Sequence, residues 1–336
     1  MFGDTAASAA LPPDDAGSRD DAAAASPAAP PPAWTDLARG VHGSSAIALD
    51  KNSVYWIDES DGSLRRLPKR GGVTMELYSG AGVPFAPGAS IAVDATDVYW
   101  TSATVAGASK TSTLRRQDKN GGKPTTVASG SASAVQCVVI DDSGIYWVQG
   151  NAVMKGAKSG GSGVGLAGGQ TGVDCVATDD KRVYWSLPGT EKARFADGAI
   201  VAASKAGGGA GAKVLVKGAA HAAHLRVDDR SVYWQSVDKI MKAPKTGGAS
   251  AVVAAVGGAI ADLALDDAYV YFTLAGTGVD GSVGRVSKEG GAPAVLATGQ
   301  ATPDGIAVDA TSVYWTCQGT DAAQHKDGKV VRLDKP

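Results

Sequence analysis

The chain has 336 residues with a formal net charge of −2, and 20% of its residues are charged. This near-neutral balance argues against nucleic acid or an anionic membrane surface as the main partner. Three cysteines are too few for a disulfide scaffold or a four-cysteine zinc site. No apolar stretch of about 18 residues is available to span a bilayer. The length fits either two domains or one large closed β domain.

Residues 1–33 are rich in Ala, Pro, Asp and Ser. This composition buries too little apolar surface to offset chain entropy, so we expect a disordered tether. The segment lacks the basic and apolar regions of a signal peptide. Two interpretations remain: a cytoplasmic protein with a flexible tail, or an exported protein that has lost its signal or lipidated cysteine. We favour an extracytoplasmic protein (periplasmic, outer-membrane-anchored or secreted) whose one membrane contact is a removed lipid anchor.

A motif of Val or Ile, then Tyr, then Trp or Phe recurs seven times, with tyrosines spaced 44, 47, 38, 49, 38 and 43 residues apart. An Asp stands five residues before each Tyr, and a Lys follows each motif, usually just before a Gly pair. The tyrosines are Tyr55, Tyr99, Tyr146, Tyr184, Tyr233, Tyr271 and Tyr314, the aspartates Asp50, Asp94, Asp141, Asp179, Asp228, Asp266 and Asp309, and the lysines Lys69, Lys119, Lys158, Lys205, Lys245, Lys288 and Lys335. Such a period is typical of propellers and other repeat folds.

Each copy contains four short runs of β-branched and aromatic residues between Gly and Asp turn signals, which we name strands A to D. Strand A ends at the Asp, strand B carries the Tyr, and several links between strands B and C contain Asp-Gly, which favours a tight hairpin turn. Seven copies of four antiparallel strands predict an all-β, seven-bladed β-propeller.

The two chain ends are predicted to share one blade. The last copy stops at strand C, Val330–Leu333, whereas Trp34–Gly40 precedes the first strand A. Leu37 lies 18 residues before Tyr55, the spacing that separates Leu296 of a full strand D from Tyr314. We therefore predict that the N-terminal strand pairs with the last copy and closes the ring, which removes two exposed sheet edges. The propeller then spans residues 34–336, and we expect the chain to be complete at Pro336.

The repeated residues have structural and functional interpretations. The aromatic residues resemble stacking platforms for sugars or bases, but one ring per copy in one register favours packing between blades. The repeated Asp favours capping of the turn between strands A and B over a metal ring. Asp and Lys fall on one face of the disc, which we interpret as a solvated structural face rather than an anion-binding patch.

The opposite face holds the B–C and D–A links, and here the copies differ in loop length. Variable loops on a rigid repeat are where binding residues concentrate, and all four histidines map to this face. We predict no catalytic residue, metal ligand or cofactor. The candidate ligand-binding residues of the channel mouth and loop face are His42, His221, His224, Arg226, Asp262 and His325.

One register near the channel mouth combines residue types that can bind metal. Nine residues before the tyrosines stand Ala46, Ser90, Cys137, Cys175, His224, Asp262 and Gly305. Inner strands of a seven-bladed ring lie too far apart for tetrahedral zinc geometry. A disulfide between Cys137 and Cys175 needs Cα atoms within about 7 Å and suits an exported protein. Two buried free thiols are the alternative, and Cys317 has no partner in this register.

The segment Tyr55-Trp56-Ile57-Asp58, with Asp50 before it and Gly71-Gly72 after it, resembles the YWTD repeat of lipoprotein-receptor propellers. The full pattern, D-x-x-x-V-Y-W followed by K-x-G-G, is similar to bacterial propeller repeats of predicted envelope lipoproteins, notably from myxobacteria. The resemblance covers residues 34–336 and implies the fold and an envelope location. YWTD propellers have six blades, whereas seven copies occur here, and the fourth motif position is Ser102, Gln149 and Leu187 in other copies.

Two functions are compatible with this sequence. The first is a monomeric, non-catalytic binding or scaffold protein that uses the loop face to bind an unknown protein or small molecule. The alternative is a propeller hydrolase or lyase of the lactonase type, in which the resemblance implies a cation at the channel mouth held by Glu, Asn and Asp of inner strands. No Glu lies in a strand A, and Asp174 and Asp262 alone are too few for a hard cation. We therefore favour binding.

Overall fold

The computed structural model describes residues 34–81, 85, 88–106, 109–130, 134–206 and 211–335. The predicted tether, residues 1–33, lies outside the described residues. Within them the chain forms 28 β-strands and two 3₁₀ helices, Glu191–Ala193 and Asp321–Ala323. None of the helices found there is long and apolar enough to cross a membrane.

The strands, in chain order, are β1 (Thr35–Val41), β2 (Ile47–Leu49), β3 (Ser53–Asp58), β4 (Ser63–Pro68), β5 (Met75–Tyr78), β6 (Ile91–Val93), β7 (Asp97–Ala106), β8 (Ser109–Asp118), β9 (Thr125–Gly130), β10 (Val135–Asp141), β11 (Gly144–Gln149), β12 (Ala152–Gly156), β13 (Val164–Ala167), β14 (Val176–Thr178), β15 (Arg182–Leu187), β16 (Ala199–Ser204), β17 (Lys213–Lys217), β18 (Ala222–Val227), β19 (Ser231–Ser236), β20 (Lys239–Pro244), β21 (Ala251–Ala255), β22 (Ile260–Leu265), β23 (Tyr269–Leu274), β24 (Gly281–Ser287), β25 (Ala294–Gln300), β26 (Pro303–Val308), β27 (Ser312–Cys317) and β28 (Gly328–Asp334).

These strands form seven four-stranded antiparallel sheets. Each first strand of a sheet contacts the first strands of the neighbouring sheets, so strands A line the centre of the ring. The seven-bladed β-propeller predicted from the repeat is confirmed. We number the blades 1 to 7 by their strands A, which are β2, β6, β10, β14, β18, β22 and β26.

The predicted ring closure is also confirmed. The seventh sheet has the strand order β1-β28-β27-β26, so the first strand of the chain is the outer strand of the last blade. Thr35 lies opposite Arg332, and Val41 lies opposite Gly328. Val41 packs in one buried cluster with Trp56 of blade 1 and Tyr314 of blade 7. The terminal strand therefore also contributes to the contact between the first and last blades.

The repeated aromatic residues pack between blades, as the sequence predicts. Trp185 of blade 4 shares a buried cluster with Tyr146 of blade 3, and Trp100 of blade 2 shares one with Tyr55 of blade 1. All six of these tryptophans are essentially inaccessible to solvent. Because each large ring buries about 150–250 Å², this register supplies much of the apolar contact that holds the blades together.

Each repeated Asp caps its own turn and also joins two blades. In blade 5, Asp228 Oδ1 accepts the backbone amides of Arg230 and Ser231, both at 2.8 Å. Its Oδ2 accepts the Tyr233 hydroxyl at 3.1 Å and the Lys288 ammonium of blade 6 at 2.8 Å. The same carboxylate therefore fixes a turn, a strand B and the following blade.

Seven such ion pairs run around the ring, each from a Lys to the Asp of the preceding blade, and Lys69 of blade 1 reaches Asp309 of blade 7 at 2.7 Å. The lysine side chains are between 7% and 29% exposed. The prediction of a solvated face is therefore wrong, because these charges are partly buried in the seams between blades. The pairs are Lys69–Asp309, Lys119–Asp50, Lys158–Asp94, Lys205–Asp141, Lys245–Asp179, Lys288–Asp228 and Lys335–Asp266.

Candidate functional site

A cavity of about 390 Å³ opens at the centre of the loop face, where strands A begin. Strands A of all seven blades reach its wall or rim, and the ends of β3 and β27 add two further side chains. The polar and charged residues of the wall are Ser45, Glu59, Ser90, Gln136, Asp174, His224, Arg226, Asp262, Asp304 and Gln318.

Irregular backbone in strands A allows side chains that are close in sequence to point to the same cavity wall. A regular strand points consecutive side chains to opposite faces. In blade 3 the pairing register shifts between Gln136 and Val139, and in blade 5 it shifts between Ala223 and Arg226. Cys137 and His224 lie at these shifts with left-handed backbone, φ 46° and 49°. Bulges of this kind re-aim side chains next to functional sites, and non-glycine residues hold such a conformation at a cost of about 1–3 kcal/mol.

His224, Arg226 and Asp262 form the charged centre of the cavity. Arg226 Nη2 lies 2.5 Å and His224 Nδ1 lies 3.5 Å from Asp262 Oδ1. Backbone amides of Leu263 and Ile306 also donate to this carboxylate, at 2.7 and 3.1 Å. Burial favours the neutral acid, but Arg226, His224 and the Ile306 amide together hold the pKa of Asp262 below its usual value.

The same contact favours the protonated form of the His224 imidazole. Burial alone would lower its pKa, but the hydrogen bond to Asp262 and the charge of that carboxylate raise it above 6.5. The backbone amide of His224 also donates to Asp174 Oδ2 at 3.3 Å. The His224 and Arg226 side chains remain 37% and 32% exposed, so both face the cavity.

Three further carboxyl groups face the cavity, and burial raises the pKa of each. Burial and the nearby charge of Asp262 raise the pKa of Asp304 to about 7, although the Gln318 amide donates to its Oδ2. Burial raises the pKa of Glu59 despite hydrogen bonds from the Ser45 hydroxyl and the Ala89 amide. Burial likewise raises the pKa of Asp174. At neutral pH Asp304, with a pKa of about 7, is therefore protonated in a substantial fraction of molecules, unlike an ordinary surface carboxylate.

The other half of the cavity is neutral. Ala89, Ser90 and Ile91 of blade 2 lie there, beside Gln136 of blade 3. Between blades 3 and 4 a disulfide joins Cys137 and Cys175, whose Cα atoms are 5.3 Å apart. Cys317 is a buried free thiol.

The structure brings three of the six predicted ligand-binding residues to the cavity: His224, Arg226 and Asp262. The other three lie in surrounding loops outside its wall. The backbone amide of His42 donates to Asp58 Oδ2 at 2.9 Å. The ring centroids of His221 and Phe195 are 3.8 Å apart. His325 Nε2 lies 3.1 Å from Asp321 Oδ1.

Sequence reasoning did not select Glu59, Asp304 and Gln318 as site residues. Glu59 and Gln318 each stand four residues after a repeated Tyr, where the other copies have Ala103, Gly150, Pro188, Val237 and Ala275. Asp304 stands ten residues before its Tyr, as Asp174 does. For Glu59 and Gln318 the available signal was a polar residue in a register that is otherwise small or apolar.

No group of three or more His, Cys, Asp or Glu residues is placed to share a metal ion in the described part of the chain. The residues present therefore do not fit the cation that the lactonase-type alternative implies. We derive no chemical step through a metal.

Fold and site together define a seven-bladed β-propeller with a charged pocket at its channel mouth. No family model matches the chain, and no curated protein sequence matches it. Among solved structures it resembles a puromycin-hydrolyzing peptidase of Mycobacterium tuberculosis, at 18% identity and a TM-score of 0.63, over 91% of this chain and 54% of that chain. It also resembles YCF48 from Cyanidioschyzon merolae, at 11% identity and a TM-score of 0.59, over 90% of this chain and 98% of that chain. The computationally designed Ika8 protein matches at 16% identity and a TM-score of 0.57, over 88% of this chain and 98% of that chain. At these identities the resemblance shows the fold alone.

Proposed function

We propose that this propeller is a non-catalytic binding protein that takes a small polar molecule at the mouth of its central channel. One observation carries the proposal: a cavity of about 390 Å³ into which the His224–Asp262–Arg226 cluster projects. Small-molecule sites are concave, measure about 300–1,000 Å³ and place a few polar groups at fixed positions. A macromolecular partner would use the surrounding loops instead, and the concave shape of the cavity favours the small molecule.

The geometry supports binding more than catalysis because the charged cluster is held in place by its own contacts. Asp262 accepts from two side chains and two backbone amides, so its charge is already satisfied before any ligand arrives. Such preorganisation lowers the entropy cost of binding.

One observation favours the alternative, a hydrolase or lyase. The carboxyl group of Asp304 has a pKa of about 7, which suits a general acid at neutral pH. If the protein is an enzyme, Asp304→Asn removes turnover but leaves substrate binding intact. If it is a binding protein, no turnover accompanies binding in either form.

We further propose that the protein is a monomeric, extracytoplasmic member of the bacterial VYW-type propellers, related to predicted envelope lipoproteins. The disulfide between Cys137 and Cys175 supports this location, because disulfides persist in oxidising compartments. Fractionation of cells that produce the full natural chain tests it. Recovery of the protein in the cytoplasm with reduced cysteines would contradict the proposal.

The binding function is tested by thermal unfolding with a panel of small amines, carboxylic acids and sugars. We expect at least one compound class to raise the melting temperature of the wild type and of Arg230→Met, but not of Arg226→Met. Arg230 is an exposed arginine on the opposite face and serves as the matched control. Absence of any stabilising compound would refute a binding site in this cavity, and equal stabilisation of Arg226→Met by every active compound would refute a role of Arg226 in it.

A further inference from the structure

The charges of the cavity wall do not balance. Four carboxyl groups face the cavity, from Glu59, Asp174, Asp262 and Asp304, against two basic side chains. Both basic side chains, His224 and Arg226, pair with Asp262. The three remaining carboxyl groups form no ion pair within the described residues. Both basic side chains therefore pair with one carboxylate. His224 and Arg226 also act electrostatically on Asp174, and His224 acts on Asp304, whereas neither acts on Glu59.

The three remaining acids are hydrogen-bonded by neutral groups. The Gln318 amide donates to Asp304, the Ser45 hydroxyl donates to Glu59, and the Ser186 hydroxyl lies 3.5 Å from Asp174 Oδ2. Glu59 is only 9% exposed. Buried carboxylates normally have a cationic partner, because an unpaired buried charge is costly, and without that partner they retain their protons. Glu59 is the most buried of the three, and it has no cationic partner among the described residues.

Two of these acids lie close enough to influence each other. Asp304 begins the inner strand of blade 7, and Glu59 follows strand B of blade 1, so they lie on adjacent blades. The negative charge of Glu59 contributes to the raised pKa of Asp304. We call Glu59 and Asp304 the acidic wall.

We propose that the ligand of the channel mouth carries an ammonium group, which docks against the acidic wall. The inference rests on the proposed binding function and specifies the class of small molecule. An ammonium group has three N–H donors and meets acceptors that come from different directions. A divalent metal needs converging ligands, and the described residues offer no group of three that could supply them. His224 and Arg226, on blade 5, face the rest of the ligand.

Binding of an amine should release a proton from the wall. The groups facing Asp304 are Glu59, Gln318, Asp262 and His224, from blades 1, 7, 6 and 5. With a pKa of about 7, Asp304 is mostly protonated at pH 5.5 and mostly ionised at pH 8. An alkylammonium ion stays charged over this range and binds the ionised form. One such proton makes the affinity at pH 8 about thirtyfold higher than at pH 5.5.

The experiment is calorimetric titration of the full chain with 1,4-diaminobutane and, as its neutral counterpart, 1,4-butanediol. We expect the diamine to bind with the pH dependence above and the diol not to bind. Glu59→Gln and Asp304→Asn should each weaken diamine binding at least tenfold. Asp321→Asn, which alters a 98% exposed carboxylate on the same face, should bind like the wild type. Melting temperatures check folding, and neither wall variant should unfold at a lower temperature, because each removes an unpaired acid.

Further arms separate the sources of the ammonium group and the competing outcomes. Tighter binding of a short lysine peptide assigns the ammonium group to a protein side chain, and tighter binding of the diamine assigns it to a free amine. If Ca²⁺ binds, the amines do not, and Asp304→Asn abolishes Ca²⁺ binding, the amine inference is overturned in favour of a metal site. If amines fail but an acid or sugar binds in an Arg226-dependent manner, the amine inference is wrong and the binding function stands. If nothing binds, both are refuted.

Discussion

Removal of one charge from the seam between two blades tests how the ring is held together. The Asp228 carboxylate, 22% exposed, pairs with Lys288 of the next blade. Burial alone would raise its pKa, but Lys288 and the amides of Ser231 and Arg230 hold it at about 2, below the ordinary 3.8. A shift of this size corresponds to about 2 kcal/mol, and solvent screening of a partly exposed pair reduces it to about 1 kcal/mol.

Asp228→Asn keeps the oxygen that caps the turn, removes the charge and replaces the oxygen that accepts Tyr233 and Lys288 by an amide nitrogen. We expect the free energy of unfolding to fall by about 1 kcal/mol at pH 7. Because the pKa is lowered in the folded state, the stabilisation is present above pH 4 and is lost as the pH falls towards 2. The difference between variant and wild type should therefore shrink across this window, as measured by urea unfolding at several pH values.

The neighbouring Asp229 is exposed and provides the matched control, Asp229→Asn. A double-mutant cycle of Asp228→Asn with Lys288→Met should give a coupling energy of about 0.5–1 kcal/mol. Equal losses for Asp228→Asn and Asp229→Asn, or a loss for Asp228→Asn that does not change with pH, would refute the assignment of the stabilisation to this ion pair.

Three further outcomes are expected. Denatured without reductant, the chain should show one reactive thiol, Cys317, and three after reduction; three before reduction would disprove the disulfide. Gly163→Ala should destabilise the fold by about 1–3 kcal/mol, because its Cβ would lie 2.4 Å from the Trp147 ring, whereas Gly165→Ala, with open space around it, should not. The free energy of unfolding of Asp304→Asn relative to the wild type should be higher at pH 8 than at pH 5. The raised folded-state pKa makes the wild type lose stability as the pH rises from 3.8 through 7, and the variant has no acid to titrate. An equal difference between variant and wild type at both pH values, measured by calorimetric unfolding, would refute the raised pKa.

The sequence predicted most of the fold because the determinants repeat. Seven phased copies define the blades, and the spacing of Leu37 from Tyr55 places the terminal strand in the last one. The direction of the ion pairs was not predictable, because the pattern that contains Asp228 and Lys245 in one copy does not show that Asp228 pairs with Lys288 of the next. Contacts between copies depend on how the blades stack, and a repeat describes only a single blade.

The site was predictable only in part, because it is built where the copies differ. The register of His224 and Asp262 was visible, since it repeats nine residues before each Tyr. Glu59 follows the end of a strand B, whereas the sequence argument considers acidic ligands only in strands A. His42 and His325 share the correct face but lie in loops outside the cavity wall. Bulges such as the one at His224 decide which side chains enter the channel, and they leave no clear mark in the sequence.

The seventh sheet joins residues 35–41 to residues 328–334, so its outer strand is synthesised before all the strands of blades 1 to 6 and the strand beside it after them. Six sheets can assemble in order during synthesis, but Lys69 of blade 1 can pair with Asp309 only after blade 7 has been synthesised. A product truncated by a premature stop within β28 would retain six complete sheets but leave β1 and β27 without the strand that pairs with both. Unpaired strand edges promote aggregation, so such a product should be aggregation-prone. A nonsense mutation within β28 should therefore be as damaging as one in an earlier blade.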